Sequence, residues 1–62
     1  MKAFKFVLYT DEDNCWRWRL LAPNGMPCAE STKSYERRSD LENFIVRLKK
    51  HIPLAEVTRE KD

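Results

Sequence analysis

Trp16-Arg17-Trp18-Arg19-Leu20-Leu21-Ala22-Pro23-Asn24-Gly25-Met26 is the stretch that decides the fold. Trp16, Trp18 and Leu20 alternate with Arg17, Arg19 and Leu21, the period of two that sends successive side chains to opposite faces of a strand. Asn-Gly is a strong hairpin signal because a type I′ turn needs positive φ at both central residues. With Asn24 and Gly25 in those places, Pro23 faces Met26. The returning strand then sets Leu21 opposite Cys28, Leu20 opposite Ala29, Arg19 opposite Glu30 and Trp18 opposite Ser31. Arg19 and Glu30 become a cross-strand charge pair on the wetter face, worth roughly a few tenths of a kcal/mol. The same register separates Cys15 from Cys28, so no intrachain disulfide is expected.

Upstream, Phe4, Phe6 and Leu8 alternate with Lys5, Val7 and Tyr9, which predicts a first strand. Asp11-Glu12-Asp13-Asn14 has no apolar member and reverses the chain. A four-residue loop there would place Phe6 beside Arg19. A loop of three or five residues places Phe4, Phe6 and Leu8 on the face of Trp16, Trp18 and Leu20. The odd loop is expected, because a slip of one residue moves the whole apolar set into solvent.

Downstream, Ser39-Asp40-Leu41-Glu42 has the capping-box pattern, with the Ser39 hydroxyl placed for the Glu42 backbone N–H and the Glu42 carboxylate for that of Ser39. A helix is predicted from there. Leu41, Phe44, Ile45, Leu48 and Ile52 form its apolar stripe, and Arg47, Lys49, Lys50 and His51 gather at the negative end of its dipole. Pro53 stops it. Leu54 to Thr58 is short and partly β-branched and predicts a last strand, and Arg59 to Asp62 a flexible tail. The sum is an α+β domain, β-β-β-α-β, an antiparallel sheet with one helix packed over its Trp18 face. Residues 3–58 make the domain and 59–62 the tail.

Sixty-two residues allow one domain. A chain of this size buries only about 60% of the surface its unfolded form exposes, so a disulfide, a metal or a partner chain is expected to support it. Two cysteines without a CxxC and one histidine argue against a disulfide framework and a zinc site. A second copy of the chain is the support that remains. The net charge of +2, from twelve basic and ten acidic residues, describes a mixed surface and lends nucleic-acid binding only weak support. No apolar run has the length of a signal peptide or a membrane span, so a reducing cytoplasm is the expected location and no membrane association is expected.

Phe6 to Tyr9, the block Arg17-Trp18-Arg19-Leu20, then Asn24-Gly25, then Ser31 and Tyr35 ahead of the helix from Ser39 to His51 resemble the YegP-like family of small domains of unknown function. The similarity runs from Phe6 to Val57. Two departures stand out. Ser31-Thr32-Lys33-Ser34-Tyr35 replaces a glycine-containing turn, and Pro27 occupies a position where a β-branched residue is common, which marks the third strand as short or as an edge. The resemblance implies a β-β-β-α-β unit that occurs as tandem repeats or as a homodimer of single units, sharing one continuous sheet and exchanging C-terminal strands. This chain holds one unit, so the homodimer is expected. Leu54, Ala55 and Val57 are then its candidate interface, with Pro53 as a stiff hinge.

For chemistry, Trp16 to Arg19 interleaves aromatic and basic groups as a single-stranded nucleic-acid platform would. Alternation sends the tryptophans and arginines to opposite faces, which leaves Arg17, Arg19, Lys33, Arg37 and Arg38 as candidate contacts in a shallow basic patch that Glu30 partly neutralises. Asp11, Glu12 and Asp13 lack the spacing of a calcium loop and read as a solvated turn. His51 lacks a nucleophile or carboxylate at recognisable spacing, and Cys15 and Cys28 read as small strand residues. Tyr35 is expected to lie over the edge of the core, its ring buried and its hydroxyl wet. No catalytic residue, no cofactor and no metal ligand is expected. The function expected is that of a non-enzymatic homodimeric binding or scaffold module with an unidentified macromolecular partner, the alternative being weak nucleic-acid binding through Arg17, Arg19, Arg37 and Arg38.

Overall fold

A computed structural model describes residues 3–60; Met1 and Lys2 at the N-terminus, and Lys61 and Asp62 of the expected tail, lie outside the described residues. Three strands, β1 (Lys5–Thr10), β2 (Trp16–Leu21) and β3 (Pro27–Glu30), form one antiparallel sheet in the order β1-β2-β3. An α-helix, α1 (Arg38–His51), follows and packs on β2, and a single 3-10 turn, η1 (Ile52–Leu54), succeeds it.

The first hairpin has the odd loop. Phe6 lies opposite Leu20, Leu8 opposite Trp18 and Thr10 opposite Trp16, so the apolar groups share one face, and the Phe6 and Trp18 rings meet edge-on at 5.5 Å. Val7 opposite Arg19 and Tyr9 opposite Arg17 define the other face.

The second hairpin departs from expectation at its tip. Only Gly25 of this turn has a positive φ, +87°, so Asn24 and Gly25 are not the centre of a type I′ turn. The Gly25 N–H donates to the Ala22 carbonyl at 2.8 Å and the Ala22 N–H to the Met26 carbonyl at 2.8 Å, which makes a three-residue loop. Pro23, with its fixed φ, suits the first central position of such a turn, and glycine suits the left-handed position that closes it. The loop is thus one residue longer than a two-residue turn, and Leu21 faces Pro27 instead of Cys28. A bulge between Leu20 and Leu21 then absorbs the extra residue, restoring Leu20 opposite Ala29 and Arg19 opposite Glu30. The acidic turn repeats the same design, with Asn14 at φ 59°, its N–H donating to the Asp11 carbonyl, and the Asp11 N–H donating to the Cys15 carbonyl.

The helix starts one residue before the expected cap. Arg37 is the N-cap in extended conformation, with no side-chain capping bond, and Ser39 lies inside the first turn. Glu42 does not reach back to Ser39, because its carboxylate accepts the Arg38 Nε–H at 3.2 Å. Tertiary contacts settle the entry: Tyr35 exchanges backbone hydrogen bonds with Trp16, at 2.6 and 2.8 Å, and the Arg38 guanidinium lies 5.7 Å from the Trp16 ring. Along the stripe Leu41 and Ile45 are buried, and Phe44 and Leu48 half-buried.

The last strand does not form within a single chain. Leu54 belongs to η1, and the residues from Ala55 to Glu60 pair with nothing in the sheet. A strand needs a neighbour to take its backbone groups, and in the single chain this segment has none in the sheet. The isolated chain is accordingly expanded. Its radius of gyration is 13.4 Å, where a compact domain of this length has about 10.6 Å. Its accessible surface is 5841 Å², against about 4,200 Å² for a compact 7.4 kDa protein.

Candidate functional site

Two surfaces and one exposed segment present the groups this domain has available for contact with other molecules. The first surface is the face of the sheet away from the helix, built by Lys5, Val7 and Tyr9 of β1 and Arg17, Arg19 and Leu21 of β2. The Arg19 guanidinium lies 4.8 Å from the centre of the Tyr9 ring, a diagonal cross-strand contact. Arg19 and Glu30 are partners in register, yet the ion pairs among the described residues are Arg17–Asp11 and Arg38–Glu42, so the expected charge pair is replaced by this cation–aromatic stack.

Arg17 is held by the acidic turn. Its Nε–H donates to Asp11 Oδ2 at 2.8 Å, while Asp11 Oδ1 accepts the backbone N–H groups of Asp13 at 2.9 Å and Cys15 at 3.1 Å. One carboxylate therefore closes the turn and ties it to β2. The Arg17 hydrogen bond, then that of the Cys15 N–H, holds the Asp11 carboxyl below its ordinary value of 3.8, and Asp11 in turn raises the Arg17 guanidinium. A carboxyl whose folded-state pKa is depressed stabilises the fold fully above its unfolded value and loses that contribution as pH falls through the folded one. Asp11→Asn keeps the turn's acceptor and removes the charge. In urea titrations between pH 6 and 2, the wild-type midpoint is expected to fall more steeply below pH about 4 than that of the variant.

The second surface is a cleft of about 570 Å³ between the end of β3 and the flank of α1. Glu30 to Lys33 form one wall and Asp40, Asn43, Phe44 and Arg47 the other, with Trp18 and Tyr35 also lining it. Ser31 is buried here, its N–H donating to the Trp18 carbonyl at 2.9 Å and its Oγ accepting the Trp18 N–H at 3.2 Å. The half-buried Tyr35 ring stacks on Phe44 with centroids 6.0 Å apart, and Lys33 Nζ lies 5.3 Å from the same ring.

The five basic residues singled out from the sequence are thus not one patch. Arg17 and Arg19 belong to the open face, Lys33 to the cleft, Arg38 to the Trp16 side, and Arg37 is exposed at the helix N-cap. Tyr9 and Asp11, which matter to the open face, and Asn43 and Arg47, which wall the cleft, were not among them. Tyr9 was legible as the odd-numbered partner of Lys5 and Val7; the cleft depends on the helix position and was not. Cys15 and Cys28 are free thiols. Among the described residues no group of three His, Cys, Asp or Glu is placed to hold a metal ion, and no helix is long and apolar enough to cross a membrane.

The segment is the C-terminal one. Leu54 is 81% and Val57 101% exposed, so the apolar residues expected at an interface stand in solvent in the single chain.

A family profile described as Domain of unknown function (DUF1508) matches residues 11–58. Among solved structures, the NMR solution structure of a protein from Haloferax volcanii is similar to this chain, with 28% sequence identity and a TM-score of 0.82. The similarity covers 97% of this chain and 100% of that one. No curated protein matches.

Proposed function

We propose, from the premise that the chain belongs to the DUF1508 family of domains of unknown function, that it acts as a homodimeric, non-enzymatic binding or scaffold module whose copies exchange C-terminal segments. The observation that carries this is the segment itself: Leu54 and Val57 are apolar, nearly or fully exposed, and follow a helix whose own buried core is only Leu41 and Ile45. The surface beyond that of a compact monomer amounts to about 1,600 Å² per chain, more than the roughly 800 Å² each partner contributes to a stable interface of ordinary size. Light scattering across a concentration series is expected to give twice the 7.4 kDa chain mass. A 7.4 kDa particle that still unfolds cooperatively overturns the proposal.

A second activity, weak binding of single-stranded nucleic acid, draws support from one observation. Tyr9 shares the open face with Arg19 and Lys5, so an aromatic ring and cations do meet there although the tryptophans point elsewhere. Arg17 contributes less, because Asp11 neutralises it. Titration of a labelled oligonucleotide at two salt concentrations is the test. Salt-sensitive binding at micromolar protein supports the activity, and no binding removes it.

A further inference from the structure

We infer that the open face of the sheet holds a short stretch of single-stranded nucleic acid along the seam between β1 and β2, with a base stacked at the Tyr9–Arg19 pair and phosphates held by Lys5 and Arg17. This rests on the nucleic-acid reading above and adds the path, the groups that make it and the residue that limits the affinity, Asp11.

The cross-strand register sets the path. Tyr9 lies opposite Arg17, Val7 opposite Arg19 and Lys5 opposite Leu21, so the seam runs from a ring and a cation, past apolar groups, to a second cation. At the rise of a strand, the stretch from Arg17 to Leu21 is about 14 Å long. The Arg19 guanidinium lies 4.8 Å from the centre of the Tyr9 ring, and the two flat groups make one stacking step. A base can extend that step, because aromatic rings and guanidinium planes both stack on bases. Val7, 37% exposed, and the half-buried Leu21 floor the next position and offer a second base apolar contact. Lys5 and Arg19 are in neither of the ion pairs among the described residues, so both charges are available to phosphates.

Acidic groups bound the track. Glu30, in register with Arg19, closes its flank on β3, and Asp11, Glu12 and Asp13 end it beyond Arg17. The site is thus short, at the lower end of single-strand grooves, about four nucleotides. Asp11 has a second effect. It accepts the Arg17 Nε–H at 2.8 Å, which leaves the terminal N–H groups of that guanidinium for a phosphate while a negative charge stands beside them. Asp11 and the phosphate repel each other, so removing the Asp11 charge strengthens binding. A purely structural role for the Arg17–Asp11 pair predicts the opposite sign, since losing the pair loosens the turn.

Fluorescence anisotropy with short labelled oligothymidylate and oligouridylate, over a series of salt concentrations, tests this, with circular dichroism to check that each variant folds. Wild type is expected to bind at micromolar protein, and Asp11→Asn to bind about two- to fivefold tighter, the effect of one unit charge near contact distance in water. Glu36→Gln makes the same change of net charge at an exposed position ahead of the helix, and at about 0.1 M salt screening should leave its affinity close to wild type. Tyr9→Leu is expected to lose about tenfold in affinity with the salt slope unchanged. Lys5→Gln is expected to lower the slope of log K against log salt by about 0.7, the loss of one phosphate contact. Wild-type binding that Asp11→Asn and Tyr9→Leu both leave unchanged overturns this site and leaves nucleic-acid binding standing elsewhere on the surface. Polyglutamate competing as well as the oligonucleotides overturns the stacking step and points to an acidic protein instead. Should Asp11→Asn or Tyr9→Leu fail to fold, Lys5→Gln, at an exposed position, decides, and an unchanged slope overturns the site. No binding of either oligonucleotide by wild type or by Asp11→Asn overturns both this inference and the reading beneath it.

Discussion

Leu41→Ala is expected to leave the chain largely unfolded at 25 °C. Leu41 is 0% exposed, the one fully buried large side chain among the described residues, and lies in the first turn of the helix where α1 meets the sheet. Truncating a buried leucine to alanine costs about 2–5 kcal/mol, the transfer term plus the cavity left behind. A domain of this length has a total stability of about 3–9 kcal/mol. A larger protein spreads such a loss over many buried residues; here Ile45 is the one other buried apolar side chain among the described residues. Far-UV circular dichroism with a urea titration is the measurement, and a midpoint within about 0.5 M of wild type would show that the core lies elsewhere. The exposed Val46→Ala, one turn further along the same helix, serves as the control and is expected to change stability by less than about 0.5 kcal/mol.

The parts of this fold that a sequence discloses are those whose cause is local or periodic. The alternation in Phe4 to Tyr9 and Trp16 to Leu21 determined which residues share a face, and the odd first loop followed from it, because only one register keeps Phe6, Leu8, Trp18 and Leu20 together. The second turn was harder. Asn24-Gly25 fits a two-residue loop as well as Pro23-Asn24-Gly25 fits a three-residue one, and the difference of one residue is hidden by a bulge at Cys28 that brings Leu20 and Ala29 back into line. Register alone therefore could not have exposed the wrong turn.

What was not legible depends on tertiary contact. Ser39 to Glu42 has every residue of a capping box, yet the Trp16–Tyr35 pairing and the Arg38 stack on Trp16 fix the helix start ahead of it, and Arg38 claims the Glu42 carboxylate. Asp11 looked like one acid among three in a solvated turn. It is distinguished by Arg17, six residues away and brought above it only by the hairpin. The cleft walls come from segments about ten residues apart whose approach is set by the helix packing angle, which no periodicity encodes.

Deleting residues from Leu54 onward is expected to halve the mass in solution and to remove most of the cooperative unfolding transition. In the single chain those residues touch little, since Leu54 is 81% and Val57 101% exposed, so for a monomer their loss should be nearly neutral. In an exchanged dimer they are core. Fully burying a leucine or valine side chain stabilises by about 1.5–3 kcal/mol, so the two together approach the whole stability of a domain this small. Val57→Asp sharpens the contrast without shortening the chain. At a fully exposed position it should change stability by less than about 0.5 kcal/mol. Buried in an exchanged dimer it would set an unpaired charge among apolar groups and prevent association. The melting temperature of the wild type is also expected to rise with protein concentration, as it must when folding and association are coupled, and that dependence should vanish in both variants. A truncated chain with unchanged mass and an unchanged transition would place the dimer contact outside the C-terminal segment.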